Sequence, residues 1–479
     1  MPGIDKIRLE KLKNIVSLGL NPYPYNFRRT HYSLEITNNY QNLEGKKASV
    51  AGRIIQFRDF GGIIFLHLLD QKGKIQIMVR KDNVKEDVLR LCSFLDLGDI
   101  IGVEGQITKT KKGEISINAS KIEILSKSLR FLPDKFKGLS DTELRYRKRY
   151  LDLIANPSIK NYFIVRQKII DSIRNFLNSK GYLEVDTPVL QKVYGGAAAK
   201  PFITFHNALN QKLYLRISNE LFLKRLIIGG LEKVYEFSKD FRNEDIDSTH
   251  NPEFTQVEFY EAYKDYYDYM QLTKEMFDKI LQDLNLPKKI NFGPHLINFT
   301  NFRTISLYDE IKKKTSIDIL NWKNPQEAYE QVLQKGLKPS KKTFAKCVEA
   351  LVDNFVLKDI FDPIFLVDFP YYMCPLTKRK RDNPLLAERF ELFIGGIECG
   401  NCYSELTDPI EQRNKFLEQA KELNKGDEES NPIDEDFLEA IEYGMPPTAG
   451  MGLGIDRLAM IFTNNNTIKE VILFPSMRD

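Results

Sequence analysis

One stretch limits what this chain can become more than any other: KVYEFSKDFRNEDIDSTHNPEFTQVEFYEAY, from Lys233 to Tyr263. Two runs of strict alternation, Val234 to Phe241 and Phe254 to Ala262, flank a polar loop that holds an Asn-Pro. Alternation divides side chains between the two faces of a strand, so the pattern predicts two antiparallel strands joined by a long loop. One face takes Tyr235, Phe237, Phe241, Val257 and Phe259, all suited to packing on helices. The other takes Glu236, Arg242, Glu244, Phe254, Glu258 and Tyr260. A strand pair that is apolar on one side and charged on the other usually has only a wet face. Here the charged side mixes aromatic rings with acids, and an Arg and a His lie in the loop. Such a face suits an anion on Arg242, a flat ring on Phe254 and a cation between carboxylates.

The chain has 479 residues, enough for two or three domains with a substantial core. Its net charge of +4 neither demands nor excludes a nucleic-acid partner, because a local basic face can hide in a near-neutral total. No apolar run approaches membrane-spanning length and the N-terminus lacks a signal-peptide core, so no membrane is expected. Five Cys in a chain this long indicate reduced thiols and a cytoplasmic setting. Cys399 and Cys402 form a C-x-x-C, but no second pair exists to complete a zinc site.

Residues 5 to 20 read as an amphipathic helix that ends at Gly19 and Asn21-Pro22-Tyr23-Pro24. From Ala48 to about Leu125 five short strands alternate with Gly-containing turns, and a helical piece, 85 to 96, interrupts between the third and fourth. That order suggests a five-stranded OB barrel. Such a barrel is either a scaffold or a single-strand nucleic-acid binder, which stacks bases on aromatics and holds phosphates with basic groups. Phe65 and Gln76 on neighbouring strands, with Arg58 just before, fit the second pattern. Residues 131–155 read as a linker running into a polar helix, either solvated or touching nucleic acid. Helical periodicity from Ile164 to Leu177 and a short strand from Tyr182 to Val185 follow. Glu220 opens a further amphipathic helix, and about 264–360 read as a mostly helical, charged insertion without chemistry.

Near the C-terminus, Gly395-Gly396 turns a hairpin between apolar strands. That turn sets Phe393 opposite Glu398 and Glu391 opposite Gly400, leaving the two acids as diagonal neighbours roughly 7–8 Å apart at the backbone. The spacing suits two carboxylates on Mg²⁺ bound with phosphates. A bulge at Gly400 is expected to turn Asn401 and Glu405 into the same pocket. Gly450, Gly452 and Gly454 give one strand a bare face for a flat ligand, and the helix after it offers its N-terminus and Arg457 to phosphate. No βαβ unit follows these glycines and no GxxxxGK[ST] loop occurs, which argues against a dinucleotide or P-loop fold.

Phe241-Arg242-Asn243-Glu244 followed by His250-Asn251-Pro252-Glu253-Phe254 resembles motif 2 of the class II aminoacyl-tRNA synthetases, in the form of their lysyl members. The helix, strand and Pro over 164–190 resemble motif 1, and Gly452-Leu453-Gly454-Ile455-Asp456-Arg457 resembles motif 3. The opening helix with its NPYP and the run from Asn401 to Leu406 are similar to lysyl members too. The resemblance implies an α+β catalytic domain, built on an antiparallel sheet flanked by helices, behind an N-terminal all-β OB barrel. It implies an N-terminal helix and anticodon-binding barrel over 1–130, a linker over 131–155 and a catalytic domain over 156–479. A homodimer through motif 1, at about 164–190, is expected.

The same resemblance implies ligation of lysine to tRNA(Lys) with ATP and Mg²⁺. Arg242, Glu244 and Arg457 would be catalytic. Lysine would lie on Gly196, Glu220, Arg242, Glu258, Tyr260, Asn401 and Glu405, with Glu220 and the Gly196 carbonyl on the α-amine and Glu258 and Glu405 on the ε-amine. ATP would meet Arg242, Glu244, His250, Asn251, Phe254, Glu391, Glu398 and Arg457, with adenine between Phe254 and Arg457 and Mg²⁺ on Glu391 and Glu398. Arg58, Phe65 and Gln76 would read the anticodon. The chain departs from the lysyl pattern at Gly62 (usually Lys), Thr249 (often Arg) and Cys374 (usually Ser), and its Cys399 and Cys402 also differ. Competing readings are an aspartate- or asparagine-specific class II enzyme, a relative that ligates lysine to protein, and an RNA-binding protein with a dead catalytic domain.

Overall fold

The computed structural model describes residues 3–133, 139–424 and 430–478. Residues 134–138 of the expected linker lie outside that range. The chain divides into two compact units, one of residues 1–140 with 154–156, the other of 141–153 with 157–479.

The first unit carries the helix Lys6–Ser17 and a closed five-stranded barrel. Its strands are β1 (Lys47–Asp59), β2 (Ile63–Leu69), β3 (Lys74–Arg80), β4 (Ile100–Lys109) and β5 (Ile115–Ser126), in the order β1-β2-β3-β5-β4. The helix Glu86–Phe94 falls between β3 and β4, as expected of an OB barrel. Ile54, Leu66, Ile77, Val103 and Ile117 are buried inside, which alternation along each strand requires.

The second unit is built on an eight-stranded sheet. In chain order the unit's strands begin with β6 (Leu183–Glu184), β7 (Leu190–Gln191), β8 (Ile203–His206), β9 (Gln211–Leu215), β10 (Lys233–Phe241), β11 (Glu253–Ala262) and the separate hairpin of β12 (Lys289–Phe292) and β13 (His295–Asn298). Then follow β14 (Arg303–Ser306), β15 (Ile364–Val367), β16 (Arg389–Ile394), β17 (Ile397–Ser404) and β18 (Thr448–Gly454). The order is β14-β15-β16-β17-β18-β11-β10-β6, antiparallel throughout except for a parallel pair at each edge. β7, β8 and β9 form a small sheet of their own.

The two alternating runs pair as expected, with Glu236 opposite Glu258 and Tyr235 opposite Phe259. Tyr235, Val257 and Phe259 are buried with the helices Lys160–Ser179, Tyr266–Asp283 and Ile455–Phe462. The opposite face is roofed at one end by the helix Glu220–Ile228, whose Leu223 and Ile227 pack on Val234 and Tyr260.

Two readings of the sequence need correction. Residues 264–360 are mostly helical, as expected, but not an insertion throughout: they also hold the β12–β13 hairpin and β14, an edge strand of the main sheet. Short strands of four residues leave too little alternation to stand out among charged helices. The polar helix after the linker is only partly solvated: Glu143, Arg147, Lys148 and Tyr150 are exposed, but Tyr146, Arg149 and Asp152 are buried. It is broken at Lys148 into Thr142–Arg147 and Arg149–Ala155, and Arg149 is wholly buried. Arg149 donates to Asp152 at 2.7 Å and to the carbonyls of Lys469 and Leu473, while Arg145 forks onto Glu470 at 2.9 and 3.0 Å.

Candidate active site

A cavity of ≈ 370 Å³ opens on the polar face of β11, β17 and β18. Of the expected residues, Gly196, Glu220, Arg242, Glu244, His250, Asn251, Phe254, Glu258, Tyr260, Glu398, Asn401 and Arg457 line it; Glu391 and Glu405 do not.

One end is a nest of buried carboxyls. Glu258 accepts from Ser218 Oγ at 3.0 Å and Gln256 Nε2 at 2.5 Å through one oxygen, and from the Tyr260 hydroxyl at 3.2 Å through the other. Burial raises its carboxyl well above the usual range, and Asp240 and Glu220 add to the push. Glu220, also buried, is raised by burial against the pull of Lys224. Glu405 is wholly buried just behind the wall, beside Gly450 and the Tyr260 ring. Burial lifts its carboxyl to about 8, again against Lys224. A Cβ on Gly450 would collide with both Tyr260 and Glu405, so this glycine's bare face is filled by protein. Gly452 and Gly454 keep theirs open to the cavity, in line with the expected room for a ligand.

The other end is cationic and aromatic. The Arg242 guanidinium lies 5.0 Å from the centre of the Phe254 ring, and its buried Nε has no hydrogen-bond partner. Arg457 donates to the Glu398 carbonyl at 2.7 Å and its carboxylate at 3.3 Å. His250 connects Asp247, 2.8 Å from its Nδ1, to Arg457, 3.2 Å from its Nε2. Thr249 hydrogen-bonds Asp247 rather than reaching across the cavity. Asn251 is an anchor: its Oδ1 accepts from the Ser476 N–H at 3.0 Å and its Nδ2 donates to the Glu253 carbonyl at 2.6 Å. Asp456, the first acid of its helix, receives Arg166 at 2.9 Å and the Thr255 N–H at 2.8 Å, which locks the start of that helix to β11.

The β16–β17 hairpin corrects the expected register. Phe393 faces Glu398 as predicted, but Glu391 faces Asn401, not Gly400. The extra residue is Cys399, one position before the expected bulge at Gly400. Gly400 is small for a different reason: a Cβ there would collide with the Gly452 carbonyl of the neighbouring strand. The shift still brings Glu391, Glu398 and Asn401 to one face. Burial raises the Glu391 carboxyl to about 7, opposed by Arg389 and reinforced by Glu398. A divalent cation would relieve that repulsion, so the pair fits a metal held jointly with phosphates. Among the described residues no group of three or more His, Cys, Asp or Glu gathers as a metal cluster.

Two residues of the site were not among those expected from the sequence. Lys224 Nζ lies 2.5 Å from Glu220 and pairs with Glu405; spacing of four from Glu220 on a helix was the available clue. Arg389 pairs with Glu391, donates to Asn401 Oδ1 at 3.1 Å and to Cys374 Sγ at 3.6 Å. All five Cys are free and buried.

On the barrel, Arg58 is cross-strand partner of Phe65, and Gln76 of His67, so all four share the outer face. Gln76 is buried, donating to Glu114 at 2.7 Å and accepting from Ser116 at 2.7 Å; His67 meets the other oxygen of Glu114 at 2.7 Å. Phe60, 65% exposed, meets Phe65 edge-on. Phe60, His67 and Glu114 extend the expected surface.

A family described as tRNA synthetases class II (D, K and N) matches residues 141–478, and one described as OB-fold nucleic acid binding domain matches 48–125. A lysine–tRNA ligase of Carboxydothermus hydrogenoformans is 46% identical over 475 residues, 99% of this chain and 97% of its own. One of Thermoanaerobacter pseudethanolicus is 48% identical over 476 residues, covering 99% and 95%. Lysine–tRNA ligase 2 of Methanosarcina mazei is 46% identical over 491 residues, covering 99% and 94%.

Proposed function

This chain belongs to the class II tRNA synthetases of the D, K and N group, and on that premise we propose that it is a lysine–tRNA ligase. The lysine carboxylate attacks the α-phosphorus of ATP, giving lysyl-adenylate and pyrophosphate; a ribose hydroxyl at the 3′ end of tRNA(Lys) then takes the lysyl group, forming an ester and releasing AMP. The observation that carries the choice of lysine is the cluster of buried carboxyls Glu220, Glu258 and Glu405 at one end of the cavity. Two ammonium groups compensate such a cluster, whereas the side-chain carboxylate of aspartate would add to its charge.

The reaction needs no side-chain nucleophile; positioning and charge neutralisation carry the rate. Glu220 and the Gly196 carbonyl take the α-amine, and Glu258, Tyr260, Asn401 and Glu405 form the ε-amine end. Arg242, with its unpartnered Nε, spans the substrate carboxylate and the α-phosphate. Glu244, His250, Asn251, Phe254 and Arg457 hold ATP, its ring on Phe254 and Arg457. Glu391 and Glu398 would hold Mg²⁺, which when bound neutralises phosphate charge. Arg58, Phe65 and Gln76 read the anticodon of tRNA(Lys).

Exposed Ile164, Leu183, Val189 and Leu190 support a homodimer through the motif 1 region. Among the described residues no helix is long and apolar enough to cross a membrane. The deciding experiment is ATP–pyrophosphate exchange with each amino acid in turn. Lysine alone is expected to support it; activity with aspartate or asparagine and none with lysine overturns the reading.

A further inference from the structure

A buried lysine stands between the two acids that would receive the two amines of the substrate. Lys224 lies one turn after Glu220 on the same helix and is 0% exposed. Its Nζ reaches Oε1 of Glu220 at 2.5 Å and forms a close ion pair with Oε2 of Glu405, although that second contact is not aligned as a hydrogen bond. Oε1 of Glu405 is left buried without a partner, beside Gly450 of the cavity wall. Lys224 therefore takes one oxygen from each carboxylate. An unpartnered buried carboxylate oxygen next to a binding cavity is the mark of a ligand contact.

Charge agrees with this arrangement. Among the described residues Lys224 is the one cation ion-paired within the nest of Glu220, Glu258 and Glu405, which leaves the acids in excess for the two ammonium groups of the substrate. Of the neighbouring cations, Arg389 pairs with Glu391, and Lys378 acts on Glu405 and Glu388 through charge alone, without an ion pair to either. Tyr260 and Tyr403 also face these acids, and burial and the acids raise both hydroxyls.

We propose that Lys224 is a positioning residue of the amino-acid pocket: by holding one oxygen of Glu220 and one of Glu405, it fixes the span between the α-amine and ε-amine sites and so sets the length of diamino acid accepted. The inference rests on the lysine–tRNA ligase reading. A neutral side chain at 224 would leave the two acids to repel each other and their carboxyls to separate or protonate.

The test compares wild type, Lys224→Met and Lys224→Arg in ATP–pyrophosphate exchange with lysine and with ornithine, one methylene shorter. Lys224→Met is expected to raise the KM for lysine about tenfold or more and leave the KM for ATP unchanged, since ATP binds at the other end. The preference for lysine over ornithine, worth about 10–200-fold for one methylene, is expected to fall in both variants. A folded variant with unchanged lysine KM and unchanged preference overturns the proposal, as does an equal loss for lysine and ATP. If Lys224→Met does not fold, the preference measured in Lys224→Arg decides alone. Wild-type exchange is the control: without lysine-dependent activity there, the ligase reading itself has failed.

Discussion

Arg166 Nε donates to Asp456 Oδ1 at 2.9 Å, joining the long helix Lys160–Ser179 to the first turn of the helix that carries Arg457. Asp456 is 2% exposed and also receives the Thr255 N–H, so its removal leaves two donors unpaired. Loss of one partner of a buried pair costs about 3–5 kcal/mol, less where the other is partly exposed as Arg166 is. Asp456→Ala should lower the unfolding free energy by about 2–4 kcal/mol in a urea titration and reduce kcat through a displaced Arg457. An unchanged urea midpoint would show that the contact carries no stability.

Proton linkage should separate the two ends of the cavity. Burial holds the Glu405 carboxyl up at about 8, and an ammonium binds only its ionised form. Lysine affinity should therefore rise with pH towards about 8, and lysine binding at neutral pH should release protons. Burial puts Glu391 at about 7, so ATP affinity should level off at lower pH than lysine affinity. Calorimetry in buffers of different ionisation heat measures the release; no buffer dependence for lysine would contradict it.

Gly450 and Gly452 of β18 should differ in stability on substitution. Gly450→Ala drives a methyl into Tyr260 and Glu405, so both stability and lysine KM should suffer, with a stability loss of about 1–3 kcal/mol. At Gly452 the nearest atom to an added methyl is Glu258 Cγ at 3.5 Å, an ordinary contact. Gly452→Ala should melt with wild type but lose substrate affinity, because the methyl occupies the cavity. Equal melting and equal kinetics for the two variants would refute this contrast.

Phe65→Ala should weaken tRNA binding by about 1–3 kcal/mol, the value of one base stacked on an aromatic ring, and leave pyrophosphate exchange intact. Aminoacylation and exchange measured on the same preparation test it. A parallel fall in both would mean that the barrel is not a separate reader.

Much of this was legible because alternation is a backbone property. The β10–β11 pair, the barrel strands and the Gly395-Gly396 turn all follow from period two and turn chemistry. The bulge was misplaced by one residue because glycine signals a lost side chain without saying which neighbour needs the room. Lys224 and Arg389 were missed because a charged residue inside a periodic pattern reads as solvated until its partners are known. Glu405, one partner of Lys224, lies far along the chain; Glu391, Cys374 and Asn401 are nearer to Arg389 in sequence but gather around it only through the fold. The four residues of β14 could not announce a sheet edge for the same reason: pairing with β15 is a long-range event.

The buried guanidinium of residue 149 has a consequence for the order of folding. Its carbonyl acceptors belong to positions 469 to 473, at separations of 324 and 320 along the sequence. Among the described residues only Asp152 accepts from it locally. Closing so long a loop carries a large entropic cost, so this clasp is expected to form after the sheet encoded between its two ends.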